Sequence, residues 1–398
     1  MQKIRKKKHS QRKKGLWDFN RFFRFPRNMS GGIDIVIFCY IILLILFGSV
    51  MVFSASTAYA SIRFNDSYYF VRRQIIWVLI GLLAMAISAS APMDFYKRAS
   101  RPLFIVTLVL LALVPLLGAE AGGAKRWIAI GSFTFQPSEL AKTSLVLMLA
   151  YYFSNHMKEV KDKKRKGKSF LYGIFYPLLF IGGVCGLVVL EKHLSCIIIV
   201  GAIGVLMMFL AGSNAKTLGL MGAGAVAGVG VFALAVEYTR RRITIWLNPE
   251  LYPRDGGWQT LQGLMAIGSG GFFGLGLGNS RLKYLYVSEP QNDFIFTIAC
   301  EELGFLGAFA ILALFTLFVK RGVHIALHHP DTFSSLVAVG ISLKVAIQVI
   351  LNIAVITNTI PNTGISLPFF SYGGSSLVML FAEMGILLSA SKDAYIKR

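Results

Sequence analysis

Acidic residues are scarce in this chain, with 19 Asp and Glu against 41 Lys and Arg over 398 residues. Charged residues of both signs make up only 15%, beside 55% apolar residues. Such a composition excludes a disordered chain and an ordinary water-soluble domain. Cysteine is sparse as well. Cys39, Cys185, Cys196 and Cys300 lie singly in apolar runs. That spacing fits no disulfide framework, zinc site or redox pair, so they read as small buried hydrophobes. A cleavable secretory leader is not expected either, because the basic first 30 residues lead into a run long enough to stay in the membrane.

What the chain has instead is apolar length. Reading for runs of roughly 18–20 residues, enough to cross a bilayer, predicts ten spans. They fall near 33–53, 70–90, 102–118, 137–153, 170–190, 194–211, 217–236, 294–319, 333–356 and 367–390. The expected fold is an all-α polytopic membrane protein of about ten transmembrane helices, with one large extracellular loop between the seventh and eighth. The net charge of +22 is not spread like a nucleic-acid surface. Residues 1–30 and 154–169 supply +15 of it, and both segments flank apolar spans. This is the positive-inside pattern of cytoplasmic segments near anionic lipid, so nucleic acid is not an expected partner. Both termini are then cytoplasmic. The expected organisation is a basic tail (1–30), a membrane domain (31–391) that includes the outer loop 237–293, and a short tail (392–398).

Several polar residues stand where a membrane makes them costly. Asp293 closes the outer stretch Val287-Ser288-Glu289-Pro290-Gln291-Asn292-Asp293 just before the apolar Phe294-Ile295-Phe296. Partial desolvation there is expected to raise its pKa toward that of a useful base, yet an Asp at this place also suits a helix N-cap. Glu301 and Glu302 lie one to two turns into the following span and need partners, for which Lys344 and Lys142 are candidates, and a structural ion pair and a catalytic role are equally open. Glu139 and Lys142 share one helix face after Gln136-Pro137-Ser138, where Pro137 is placed to open the helix. Lys125-Arg126-Trp127 reads as a cation pair with an aromatic anchor or as an interfacial belt. Arg240, Arg241 and Arg242 suit a pyrophosphate clamp or simple snorkelling at headgroup level. The glycine run from Gly268 to Gly278 lacks the strand-then-helix setting of a nucleotide loop and is expected to serve close backbone packing or a re-entrant turn. Ser371-Tyr372-Gly373-Gly374-Ser375-Ser376 has the small residues of tight helix packing, with cavity lining as the lesser alternative. His324, His328 and His329 read as a solvated helix end.

In combination these residues resemble the SEDS family (shape, elongation, division and sporulation), which includes RodA, FtsW and SpoVE. The matching stretches are Gly123 to Trp127, Gln136 to Lys142, Gln262 to Gly278, Glu289 to Gly304, and Asn352 to Ser376. They run in family order over about residues 33–391. Gly276 to Arg281 and Glu289-Pro290-Gln291 are closer to the FtsW/SpoVE branch. The resemblance implies a ten-span peptidoglycan glycosyltransferase of the bacterial cytoplasmic membrane, serving cell division or sporulation. It would polymerise lipid II on the outer face, with inversion at the sugar and release of undecaprenyl pyrophosphate. Implied partners are lipid II, membrane lipid, a class B penicillin-binding protein, and division or sporulation membrane proteins. The family's essential Asp maps onto Asp293 as catalytic base, and Arg126, Glu139, Lys142, Arg242 and Glu302 map onto substrate-binding positions. No cofactor is required, and a divalent cation (Mg2+ or Mn2+) is compatible with the chemistry. The rival readings are a lipid II flippase or other transporter, and a scaffold that only recruits the transpeptidase. The chain departs from the family pattern at Glu191-Lys192-His193-Leu194-Ser195, where many members carry a Gln-Pro-Asp-Leu-Gly type stretch. Asn292 and Val287-Ser288 are further departures. Changed packing or partner contacts are expected there, with the chemistry kept.

Overall fold

A computed structural model describes residues 32–121, 124–131, 133–162, 165–224, 237–253 and 256–394. The basic tail 1–30, Gly123, Lys163 and Lys164, most of the seventh expected span and the last four residues lie outside these. The helices are α1 (Ile35–Phe64), α2 (Tyr69–Ser90), α3 (Met93–Leu117), α4 (Pro137–Val160), α5 (Lys166–Leu190) and α6 (Leu194–Leu210). After helical residues 215–224 come α7 (Glu237–Leu247), α8 (Gly257–Ser269), α9 (Ile295–Leu327), α10 (Thr332–Ile356) and α11 (Gly374–Ser391). Seven of them, α1, α2, α3, α5, α9, α10 and α11, are long and apolar enough to cross a membrane. Most of the apolar surface of α2, α3 and α9 faces outward, whereas α10 and α11 are mostly enclosed by the rest of the protein. The chain is thus a helical membrane protein with its polar machinery arranged around α10 and α11.

Three local features differ from the sequence expectation, each for a physical reason. The first helix continues past residue 53 to Phe64, through Ser54-Ala55-Ser56-Thr57. Hydroxyls there do not end a helix when they bond back one turn, as Thr57 Oγ1 does to the Phe53 carbonyl at 2.6 Å. Asn65, left-handed at φ 53°, ends it. The last helix starts at Gly374 rather than near 367, since Pro368 and Phe369 (φ 66°) hold the preceding segment out of helical geometry. Between α3 and α4 lies a small antiparallel sheet of β1 (Ala119–Ala121), β2 (Ala124–Ile130) and β3 (Phe133–Phe135), in the order β1-β2-β3.

The glycine run packs closely against α9, as expected. Helix α9 is broken at Gly304 (φ 66°, ψ −169°), a conformation only glycine tolerates. The break parts the helical bonds that would join the carbonyls of Glu301 and Glu302 to the N–H groups of Phe305 and Leu306. All four groups find partners in the glycine run. Leu275 N–H donates to the Glu301 carbonyl at 3.0 Å and Gly276 N–H to that of Glu302 at 2.9 Å. Phe305 and Leu306 N–H in turn donate to the Gly271 and Phe272 carbonyls at 2.9 and 3.2 Å. A Cβ on Gly274 would lie 2.2 Å from the Glu302 carbonyl oxygen, so the approach requires glycine.

The buried carboxylates show where sequence pairing went astray. Glu302 is fully buried and pairs with Lys283 at 3.0 Å, while Ser54 Oγ reaches both its oxygens at 2.7 and 2.6 Å. Glu301 accepts from Ser280 Oγ at 2.5 Å and from Arg281 N–H at 2.9 Å. Neither uses the candidates Lys344 or Lys142. Lys344 pairs instead with Glu383, and Lys142 with Glu139 at 2.8 Å. Lys283 serves because the stapled glycine run returns the loop to the side of α9.

Candidate active site

A cavity of about 780 Å³ opens among α2, the β-sheet, α4, α10 and the segment leading into α11. Asp293 lies on its wall. Its main chain is held from three directions: Tyr372 N–H donates to the Gln291 carbonyl at 2.8 Å, Ser371 Oγ to the Asn292 carbonyl at 3.0 Å, and Asn352 Nδ2 to the Asp293 carbonyl at 2.8 Å. Asn352 also donates to the Ile365 carbonyl at 2.6 Å, binding the two segments together. By contrast, the Asp293 carboxylate makes no hydrogen bond or ion pair among the described residues. Helix α9 begins at Ile295 with Phe294 as its N-cap and no side-chain capping bond, so Asp293 is not the cap. Burial and the neighbouring Glu289 carboxylate push its pKa up to about 6. A rigidly held, unpartnered carboxylate with a pKa near neutrality has the properties of a general base.

A second cavity of about 350 Å³ lies toward α7 and α8, and Asp293 lines this one too. Arg126, Gln259 and Gly364 are shared with the larger cavity, so the carboxylate sits where two chambers meet. Each chamber has cations on its wall: Arg73, Arg126 and Lys344 in the larger, Arg126, Lys192 and Arg242 in the smaller. Arg126 projects from β2 and is held by the turn between α5 and α6, through the Lys192 carbonyl at 2.7 Å and the Glu191 carbonyl at 3.4 Å. Arg242 donates to the Asn362 carbonyl at 3.2 Å. Pro137 does open α4, and places Glu139 on the larger cavity while Lys142 pairs with it from behind.

The structure therefore brings Asp293, Arg126, Glu139 and Arg242 to one pair of connected chambers, with Lys142 in direct support. Glu302 stands apart: it lines neither chamber, and its partners Lys283 and Ser54 belong to the staple at α9. Ser371 to Ser376 answer to both readings of their sequence: they line the larger cavity, and a Cβ on Gly374 would lie 2.5 Å from the Trp77 ring, so the packing there is tight. Sequence reasoning passed over Arg73, Gln259 and His193 as site residues. Arg73 follows Arg72 at the start of a span, where arginine reads as a headgroup anchor. Its position one turn before Trp77, which lines the same cavity, was the available signal.

Residues 34–396 match the model of the cell cycle protein family FtsW/RodA/SpoVE. The chain belongs to this family. FtsW/RodA/SpoVE relatives include a probable peptidoglycan glycosyltransferase FtsW of Geobacter sp. (strain M18), 38% identical over 90% of this chain and 97% of that protein. The stage V sporulation protein E of Bacillus subtilis (strain 168) is also 38% identical, again over 90% and 97%. Among solved structures, a chain of a peptidoglycan synthase complex superposes with a TM-score of 0.76 at 27% identity, covering 92% of this chain and 99% of its own. The rod shape determining protein RodA of Thermus thermophilus superposes at 0.66 and 27%, covering 92% and 98%. The FtsW/RodA/SpoVE resemblance first seen in ordered motifs thus extends over the whole membrane domain.

Proposed function

We propose that this FtsW/RodA/SpoVE member is a peptidoglycan glycosyltransferase that polymerises lipid II on the outer face of the bacterial cytoplasmic membrane. The observation that carries the proposal is the unpartnered Asp293 carboxylate at the junction of two cation-bearing chambers. A polymerase needs two lipid-linked sugars side by side, and two connected chambers suit that need. The 4-hydroxyl of one GlcNAc attacks the anomeric carbon of the MurNAc on the other substrate. The hydroxyl proton passes to Asp293, the new C–O bond forms with inversion from α to β, and undecaprenyl pyrophosphate leaves with the electron pair of the broken bond. Arg126 and Arg242 would stabilise the charge that develops on the pyrophosphate, and the membrane anchors would keep both substrates oriented. A Mg2+ or Mn2+ ion, where one takes part, would find Glu289 on the larger cavity wall and would neutralise charge on the leaving pyrophosphate.

In this reading the chain has ten spans, both termini in the cytoplasm, and residues 237–293 outside. A class B penicillin-binding protein is the proposed partner, in keeping with the structural likeness to a chain of a peptidoglycan synthase complex. The test is polymerisation of purified lipid II in liposomes by the wild type and by Asp293→Asn, each with and without that partner. Glycan strands from the wild type alone are expected. Lipid II translocation without polymer would point to a flippase, and an active Asp293→Asn would remove this carboxylate from the role of base.

A further inference from the structure

The turn between α5 and α6 is where this chain departs from the family pattern, and it forms part of the larger cavity wall. His193 lies in that turn and lines the cavity beside Arg126, Gln136 and Glu139. Its Nδ1 is 3.5 Å from Gln136 Nε2 and 3.2 Å from Ser138 Oγ. The amide nitrogen can only donate and the serine hydroxyl can do so too, so Nδ1 is the acceptor and the ring proton resides on Nε2. Nε2 makes no hydrogen bond among the described residues, which leaves this N–H for a ligand in the cavity.

The charges facing the ring select the kind of ligand. Burial together with the nearby Arg126 and Lys142 cations holds the His193 pKa down to about 4 against the pull of Glu139, so the imidazole is a neutral donor near pH 7. Glu191, two residues away, has both carboxyl oxygens buried without a hydrogen-bond partner among the described residues, and burial pushes its pKa up to about 8. It is therefore largely uncharged and leaves the Arg126 charge uncompensated. Arg126 itself is held by two main-chain carbonyls, which orient the guanidinium without neutralising it. One fixed cation and one neutral N–H donor on the same wall suit a phosphate group, whose oxygens only accept.

We propose that His193 is a second phosphate-binding residue beside Arg126, donating from Nε2 to the pyrophosphate of the lipid-linked substrate. This rests on the reading of the cavity as a lipid II site.

The test is direct binding of undecaprenyl pyrophosphate to the full-length protein in detergent, followed by the fluorescence of Trp77 and Trp127 on the cavity wall. His193→Ala is expected to bind about 10- to 100-fold more weakly, the range for a lost hydrogen bond to a charged group. His193→Gln, which keeps a side-chain N–H, is expected to recover most of the affinity, and inorganic pyrophosphate should compete less well in the Ala variant. Equal affinity in wild type and His193→Ala overturns the inference, as does weakened binding that His193→Gln does not restore. Weakened and Gln-restored binding in a protein that makes no polymer would leave His193 in place and reject the polymerase. A wild type that binds no undecaprenyl pyrophosphate would overturn both.

Discussion

Three carboxylates stand within ten residues of one another at the start of α9, and they live in opposite conditions. Glu301 and Glu302 are saturated, with oxygens taken up by Ser54, Ser280, Lys283 and main-chain N–H groups. Asp293 has its own carbonyl and the two before it held, and its side chain left unpartnered among the described residues. A saturated carboxylate stabilises structure and has no lone pair to offer a substrate. An unsaturated one costs stability where it stands, and persists only because the surrounding backbone leaves it no alternative.

The largest expected effect on this contrast comes from Asp293→Asn. Removing the proposed base should lower polymerisation about 10²- to 10⁴-fold. It also removes a desolvated charge, so the melting temperature in detergent should hold or rise. The saturated pair should respond in reverse. Lys283→Met leaves Glu302 buried without its cation, for which about 3–5 kcal/mol of destabilisation is expected. Denaturant titration would read this, and replacing Glu302 by Leu in the same chain should restore much of the loss. Gly304→Ala forces a left-handed backbone and places a Cβ 2.2 Å from the Gly274 nitrogen. A loss of at least about 1–3 kcal/mol is expected, with an earlier thermal transition. The smallest effect is a shift in pH dependence. In its proposed role Asp293 takes the proton only when ionised, so the rate should fall as pH drops through about 6. Glu289→Gln removes a negative charge that raises this pKa, and should move the acid limb of the profile to lower pH.

The sequence displayed the spans and the Asp293 carboxylate more clearly than the pairings. Apolar length alone located the seven helices long enough to cross a bilayer, because crossing sets a minimum run that few other structures need, whereas α7 and α8 in the outer loop gave no such signal. Asp293 was conspicuous because it stands at the lip of such a run. The N-cap alternative was equally sound from the sequence, and only the helix start at Ile295 decided against it. The partner of Glu302 could not be read, since Lys283 reaches it through a loop whose return depends on main-chain bonds made by glycines. Arg73 and His193 were hidden differently. One occupies a place where arginine is ordinary, and the other a turn whose unusual composition was read as altered packing. Both became visible as site residues only when the cavity showed which walls they share.

The staple between the glycine run and the break in α9 bears on how this sequence can change over time. Its four bonds are all main chain to main chain, so they impose glycine at a few points and little else. Residues 277–300 therefore form a cassette whose two ends are fastened to each other independently of its contents. An exposed position inside it such as Ser288 can change without touching the staple, while Tyr372, Ser371 and Asn352 keep the address of Asp293. Exposed positions open to change and the site's most demanding residue can thus occupy the same loop.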